Sequence, residues 1–331
     1  MLTIALIGYG YWGPNVARNI YRNKNFDFKY ICDLKTDRLD LAKELYANEV
    51  SYTTSFDEVI GDPEVEAVAL AVETSAHFDL AKKAILAGKH VYVEKPFTDN
   101  VAQARELKAL AEERGVTVHV DHIMIYHPAI QKIKEILDSG DFGNVIYYDC
   151  SRINLGKVKN DVSCMWDLSV HDLSIIDYLS GGIPVKHVQA MGKRMYSAKE
   201  SVTFLSADYG DFIATIKANW ISPIKERKLI VAGTKKMLVY DDVDVLNKLI
   251  VYDKGFDMVN DEDIEYDEFV IKTRVGDGSI PRLESGDALF NSLEHFRRCI
   301  VNGCRSMSDP DAAIRVLEVL EKADDCMISE K

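Results

Sequence analysis

The chain has no apolar run near the roughly 20 residues that cross a bilayer, no clustered Lys/Arg face, no CxxC among its six cysteines and no low-complexity segment in its 331 residues. Each absence excludes something. Without a spanning run, and with MLTIALIGYG lacking the basic start and small-residue cleavage site of a signal peptide, the expected protein is cytoplasmic and binds no membrane. A formal charge of -13 with no basic footprint removes nucleic acid and anionic lipid surfaces as partners. The cysteines Cys32, Cys150, Cys164, Cys299, Cys304 and Cys326 are scattered, which suits reduced, mostly buried thiols better than a disulfide framework or a zinc knuckle.

What is present is a long folded chain with two kinds of pattern. From Leu2 to about Val120, the short apolar segments LTIALIG, FKYICD, VEAVALAV, KHVYVE and VTVHVD alternate with helical stretches such as HFDLAKKAILAG and AQARELKALAEERG. That alternation predicts a doubly wound parallel sheet. After PAIQKIKEILDSGDFG the pattern changes to NVIYYDCSRINL, SVTFLSADYG, DFIATIKANWI, RKLIVAG, KMLVYDD and EFVIKTRV, which predict a single antiparallel sheet with one wet face. Helices near 287–301 and 310–327 close the chain. The fold class is therefore α/β, with residues 1–121 forming a dinucleotide-binding domain and 122–331 a second, sheet-rich domain. The last helix is expected to pack back on the first domain.

Gly8-Tyr9-Gly10-Tyr11-Trp12-Gly13 fits GxGxxG, follows an apolar strand, opens a helical stretch, and precedes a second strand ending in Asp33, 20 residues after Gly13. Glycines let backbone approach a pyrophosphate, the helix N-terminus stabilises its charge, and a carboxylate accepts hydrogen bonds from ribose hydroxyls. The alternative is a tight structural turn with a solvated Asp. HVYVEKPF places Glu94 and Lys95 at the end of a buried-type strand, where ligands bind in an open parallel sheet, and Pro96 forces a turn there. Thr74 and His77 lie just past the preceding strand and edge the same crevice; His77 is equally a helix-start residue bonded to backbone.

In WDLSVHDLSIIDYL, Asp167 and His171 are four apart, on one helix face, while Leu168, Ile175, Ile176 and Leu179 form an apolar stripe. A histidine can take a proton from an alcohol near neutral pH, and a nearby ammonium would stabilise the alkoxide. The pair could instead be a surface contact, with Asp172 an exposed partner.

The order GxGxxG, Asp after the second strand, GKHVYVEKP, then D-x-x-x-H at a helix start in a sheet-rich domain resembles the glucose-fructose oxidoreductase and inositol dehydrogenase family, Gfo/Idh/MocA, over nearly the whole chain. The resemblance implies a Rossmann domain followed by a domain with a large open, mainly antiparallel sheet, and NAD- or NADP-dependent oxidation or reduction of sugars and polyols. It implies that Lys95, Asp167 and His171 are catalytic and contact substrate, and that Gly8, Gly10 and Gly13, with Tyr11, Trp12, Asp33, Thr74, His77, Glu94 and Lys95 itself, face the cofactor. Two departures are VETSAH in place of a proline-bearing loop and SCMWDLSVHD in place of a glycine-rich approach. YHPAIQKIKEILDSGDFGNV, SRINLGKV and WISPIKERKLIVAG look like members acting on nucleotide sugars, which makes Tyr126, Arg152, Asn154, Lys157 and Trp166 substrate-side candidates.

A small-molecule sugar is therefore the expected partner, with NAD favoured over NADP because Asp33 would repel a 2′-phosphate, and Lys35 and Arg38 able to erode that preference. Apolar Ile213, Ile216, Ile230 and Val231 on strands that no second helical layer covers predict a homodimer or homotetramer through the second sheet. The alternatives are a free sugar or polyol as substrate, a metal-dependent hydrolase using His119, Asp121, His122 and His127 with His171-Asp172, or a non-catalytic dinucleotide-binding protein.

Overall fold

A computed structural model of the chain describes residues 1–46, 49–160, 162–259 and 270–330. Two compact units emerge, Met1–His127 with Gly286–Glu318, and Pro128–Ser285 with Val319–Lys331. This differs from the expected division after residue 121: the first unit extends to His127 and takes back 286–318. The physical reason lies in one helical stripe, because Leu289, Leu293 and Phe296 are buried in the same core as Leu6, Ile20 and Tyr92.

The first unit runs β1 (Leu2–Ile7), α1 (Gly13–Arg22), β2 (Phe26–Cys32), α2 (Thr36–Tyr46), β3 (Ser51–Thr53), α3 (Phe56–Gly61), β4 (Ala67–Leu70), α4 (Thr74–Leu86), β5 (His90–Val93), α5 (Val101–Arg114) and β6 (Val118–Val120). Its six strands pair in parallel in the order β3-β2-β1-β4-β5-β6. The order reverses between β1 and β4, which opens the crevice where open α/β sheets take ligands. Strand β4, Ala-Val-Ala-Leu, is buried along its whole length, as expected for a parallel strand covered on both faces. Strand β3, only Ser-Tyr-Thr, is too short to carry a sequence pattern and adds to the five strands expected. A 3-10 turn, Ile123–Tyr126, follows β6.

The second unit begins with α6 (Pro128–Asp138) and β7 (Val145–Leu155), and continues through a π turn, Met165–Ser169, into α7 (Val170–Ser180). Then come β8 (His187–Arg194), β9 (Glu200–Asp208), β10 (Ile213–Asn219), β11 (Ile221–Gly233), β12 (Met237–Asp241), β13 (Leu249–Val259) and β14 (Val270–Ser279). The chain then forms α8 (Ala288–Asn302) of the first unit, α9 (Pro310–Asp325) and β15 (Ile328–Glu330). The nine strands lie in the order β14-β13-β12-β11-β7-β10-β9-β8-β15. The sheet is mainly antiparallel, but β7 pairs with β10, and β8 with β15, in parallel. The first two residues of EFVIKTRV lie outside the described residues.

Burial alternates along this sheet with the period of two that a half-covered sheet requires, as in Phe204, Leu205, Ser206 and Ala207 of β9. The four apolar residues expected on the open face divide between faces. Ile213 is 55% exposed and Ile230 half-buried, whereas Ile216 and Val231 are buried. No helix among the described residues is long and apolar enough to cross a membrane.

Candidate active site

The glycine turn is dictated by contact distances. Gly8 has a φ of +93°, and a Cβ there would lie 2.5 Å from the Ala71 carbonyl oxygen; one at Gly13 would lie 2.3 Å from the Gly8 carbonyl oxygen. The start of α1 is thereby drawn against the end of β1. No side chain caps α1, whose first turn carries Pro14. Asp33, buried just past β2, accepts from the Tyr9 backbone N–H at 2.7 Å and the Lys35 N–H at 2.8 Å, with Arg38 Nη1 3.4 Å away. One carboxylate thus braces the glycine turn from the neighbouring strand. Arg38 also faces Gly10, where an added Cβ would stand 3.2 Å from its Nη1. Tyr11 is 97% exposed, while Trp12 packs on the core with its indole N–H buried and without a hydrogen-bond partner.

Lys95 and Glu94 leave the end of β5, half-buried, and the Lys95–Pro96 peptide is cis. Thr74 is the first residue of α4 and half-buried. His77 is buried, with Nδ1 2.9 Å from the Pro96 carbonyl oxygen and Nε2 3.2 Å from that of Val72. This gives His77 a structural task, holding the loops after β4 and β5 together. Burial depresses its pKa.

In the second unit the π turn sets the polar pair. Asp167 lies within it and accepts from Lys159 Nζ at 2.8 Å; half-buried His171 follows in the first turn of α7. A π turn widens the helix locally and is frequent at functional sites. The expected apolar stripe forms, with Ile175, Ile176 and Leu179 buried. Asp172 is also buried, and this corrects its reading as an exposed residue. Arg152 grips it in a fork, Nε to Oδ2 at 3.0 Å and Nη2 to Oδ1 at 2.7 Å. Arg152 therefore fastens α7 to β7, and its guanidinium is committed within the fold. Trp166 donates from Nε1 to Asp324 at 2.7 Å. Asn154 is half-buried at the end of β7 and Lys157 is exposed beyond it. Tyr126 belongs to the first unit, buried with its ring stacked 5.6 Å from that of His119.

The histidine set of the hydrolase reading is otherwise engaged. His119 has Nε2 3.0 Å from Ser292 Oγ and Nδ1 2.9 Å from Ser306 Oγ, so both ring nitrogens have serine partners. Burial, then the neighbouring His295 and His122, keep its pKa well below the usual histidine range. Burial, then the Lys95 charge, lower that of His122 to about 3. No group of three or more His, Cys, Asp or Glu side chains among the described residues is placed to share a metal ion.

Residues 2–122 match the model of an oxidoreductase family with an NAD-binding Rossmann fold, and residues 130–239 match the GFO/IDH/MocA C-terminal domain. The chain belongs to the Gfo/Idh/MocA oxidoreductases. It is 26% identical over 332 residues to the scyllo-inositol 2-dehydrogenase (NAD+) of Bacillus subtilis, covering 94% of this chain and 90% of that one. It is 30% identical over 199 residues to the UDP-N-acetylglucosamine 3-dehydrogenase of Acidithiobacillus ferrooxidans, covering 58% of this chain and 60% of that one. A structure of the latter enzyme superposes with a TM-score of 0.80 at 25% identity, covering 98% of this chain and 97% of that chain. This Gfo/Idh/MocA protein is thus an NAD-binding oxidoreductase, with the Rossmann unit and mainly antiparallel second sheet expected from its motifs.

Sequence reasoning assigned no role to Ser292, which the helix α8 returns to the first unit's core beside Tyr92, His119 and Asp121. Its only sequence signal is a polar residue inside the stripe Leu289, Leu293, Phe296.

Proposed function

We propose that the protein is an NAD(P)-dependent sugar dehydrogenase or ketoreductase acting on a nucleotide-linked sugar. The observation that carries the oxidoreductase reading is the glycine turn closed by Asp33, which presents uncapped helix donors and a ribose-type carboxylate on adjacent strands. A bound nicotinamide would supply or accept the hydride. Gly8, Gly10 and Gly13, with Tyr11 and Trp12, would hold the pyrophosphate, Asp33 the ribose, and Thr74 and Glu94 the nicotinamide end. Lys95 would stabilise the substrate oxygen as an alkoxide, His171 would exchange its proton, and Asp167 would orient the ring or bind a hydroxyl. Asn154, Lys157 and Trp166 are the substrate-side residues.

Similarity to a UDP-N-acetylglucosamine dehydrogenase over 98% of the chain supports the nucleotide-sugar reading. A free sugar or polyol is the second reading, favoured by the capture of Arg152 by Asp172, which removes the best diphosphate ligand among the candidates. A panel of nucleotide-linked sugars, keto sugars, free hexoses and inositols, read by NADH absorbance and by thermal shift with NAD, separates the two. Activity on a free polyol with no response to any nucleotide-linked sugar would overturn the first reading and leave the oxidoreductase intact. The exposed Phe204 and Ile213 on one sheet face support a homodimer or homotetramer built there; a monomer by light scattering at micromolar concentration would refute it.

A further inference from the structure

Val93 and Val120 are register partners on the neighbouring parallel strands β5 and β6, so Glu94 and Asp121, the next residues of each, leave the same sheet edge together. That register sets the two carboxyl groups side by side, and burial, then the Asp121 charge, pushes the Glu94 pKa well above the ordinary carboxylate range. Glu94 Oε1 and Asp121 Oδ2 are both buried and these two oxygens have no donor, while the Tyr92 hydroxyl bonds Asp121 and the Lys95 backbone N–H bonds Glu94 elsewhere on each group. Two buried carboxylates in contact repel; one proton between them replaces the repulsion with a hydrogen bond and satisfies both oxygens.

The surrounding hydrogen bonds fix the rest of Asp121. Ser292 Oγ lies 3.0 Å from Asp121 Oδ1, 3.0 Å from His119 Nε2 and 3.0 Å from the Tyr92 hydroxyl. Its single hydrogen is needed by Oδ1, so it accepts from Nε2–H of His119, whose Nδ1 in turn accepts from Ser306 Oγ at 2.9 Å. Every donor in this chain points toward Asp121. The titratable groups around the pair are Tyr92 on β5 and Lys95 just past it, His119 on β6 and His122 just past it, and, beyond His119, His295 from α8. The three histidines have lowered pKa values and are neutral at pH 7. Lys95 is the cation that both carboxyl groups feel.

We propose that Glu94 and Asp121 share one proton at neutral pH and together present Lys95 with a single negative charge, which makes Asp121 a positioning residue for that lysine. With one proton the group of three is neutral, a state that a buried setting tolerates better than a net charge of one. The shared proton stands on the contacts above; its meaning for turnover rests on the proposed role of Lys95. A proton held in the fold and already lost by the unfolded chain makes stability fall as pH rises through the titration of the pair.

Infrared difference spectra of the full chain test the proton directly. The expected result is a protonated-carboxyl band at pH 7, absent in Asp121→Asn and in Glu94→Gln and lost from the unsubstituted protein as pH rises. No such band at pH 7, or one that neither substitution removes, would overturn the shared proton. Competitive acylation of Lys95, read by mass spectrometry, tests the positioning. Each single amide keeps one negative charge, so Lys95 reactivity should change less than about threefold, whereas Glu94→Gln with Asp121→Asn should raise it about tenfold, the equivalent of one pKa unit. Single amides that raise reactivity midway toward the double would show two ionised carboxylates, and an unchanged double would remove the positioning role. Neither readout requires turnover, so failure of the catalytic assignment of Lys95 is seen separately.

Discussion

Arg152 on β7 and Asp172 on α7 form a buried, two-bonded ion pair, at 3.0 and 2.7 Å, that locks the helix bearing His171 to its sheet. Removing either partner strands a charge away from water. Arg152→Ala or Asp172→Ala should therefore destabilise the protein by ~3–5 kcal/mol. Replacing both by apolar residues of similar size should cost much less. Denaturant titrations of the two singles and the double check this; a single substitution costing under about 1 kcal/mol would show that the pair is not sealed from solvent.

Lys95 and His171 give the next expectation. If one stabilises an alkoxide and the other exchanges its proton, Lys95→Ala and His171→Ala should each lower turnover by roughly two orders of magnitude. NADH binding, followed by fluorescence, should stay near normal in both. Asp167→Asn should act mainly on KM, since its carboxylate is paired with Lys159 in the free protein. Near-normal turnover of His171→Ala on the true substrate would move the proton transfer to another group.

The first unit was legible in sequence because its signals are local. GxGxxG sits between a strand and a helix, and strands such as AVAL are apolar without interruption since both faces are covered. What escaped was non-local. Arg152 reads as a diphosphate ligand or the cross-strand partner of a surface carboxylate; its actual partner lies 20 residues away on a helix. The return of α8 into the first core was hidden for the same reason: Leu289, Leu293 and Phe296 announce a buried stripe without saying which sheet buries it. Likewise a two-residue period separates faces but does not say which is wet, and Ile216 and Val231 face the core, not the open side expected of them.

Cofactor preference turns on Asp33 and its neighbour. The carboxylate should disfavour a 2′-phosphate, so catalytic efficiency should be higher with NAD(H) than with NADP(H). Arg38, 3.4 Å from that carboxylate, supplies a cation once the acid is gone. Asp33→Ala should then move the ratio toward NADP(H) by about tenfold or more, the worth of one charge-assisted hydrogen bond of roughly 1.5–3 kcal/mol. Because Asp33 also accepts from Tyr9 N–H, some loss of affinity for both cofactors should accompany the change. Equal efficiency of the unsubstituted protein with the two cofactors would contradict the expectation.

Acid should unfold the protein earlier than its carboxylates alone require. His77, His119 and His122 are buried, and burial lowers the pKa of each, that of His122 to about 3. In the unfolded chain they titrate near the ordinary value of about 6.5. Between those limits the unfolded state binds protons that the folded state refuses, so stability rises with pH there and is lost as pH falls. Above about pH 6.5 the three contribute no slope. Below it each refusing histidine adds up to about 1.4 kcal/mol per pH unit. His119 is the clearest probe, because its nitrogens are fixed by Ser292 and Ser306 and a charged ring would turn one serine hydroxyl against a donor. The proton held by Glu94 and Asp121 opposes this slope by up to one proton, so urea unfolding at pH 7, 6 and 5 should show free energy falling mainly between pH 6 and 5, where three refusing histidines outweigh it and ordinary Asp and Glu, near 4, remain ionised. His119→Gln, though less stable at pH 7, should show a slope smaller by close to one proton. A free energy that stays flat between pH 7 and 5 would mean that these histidines accept their protons without unfolding.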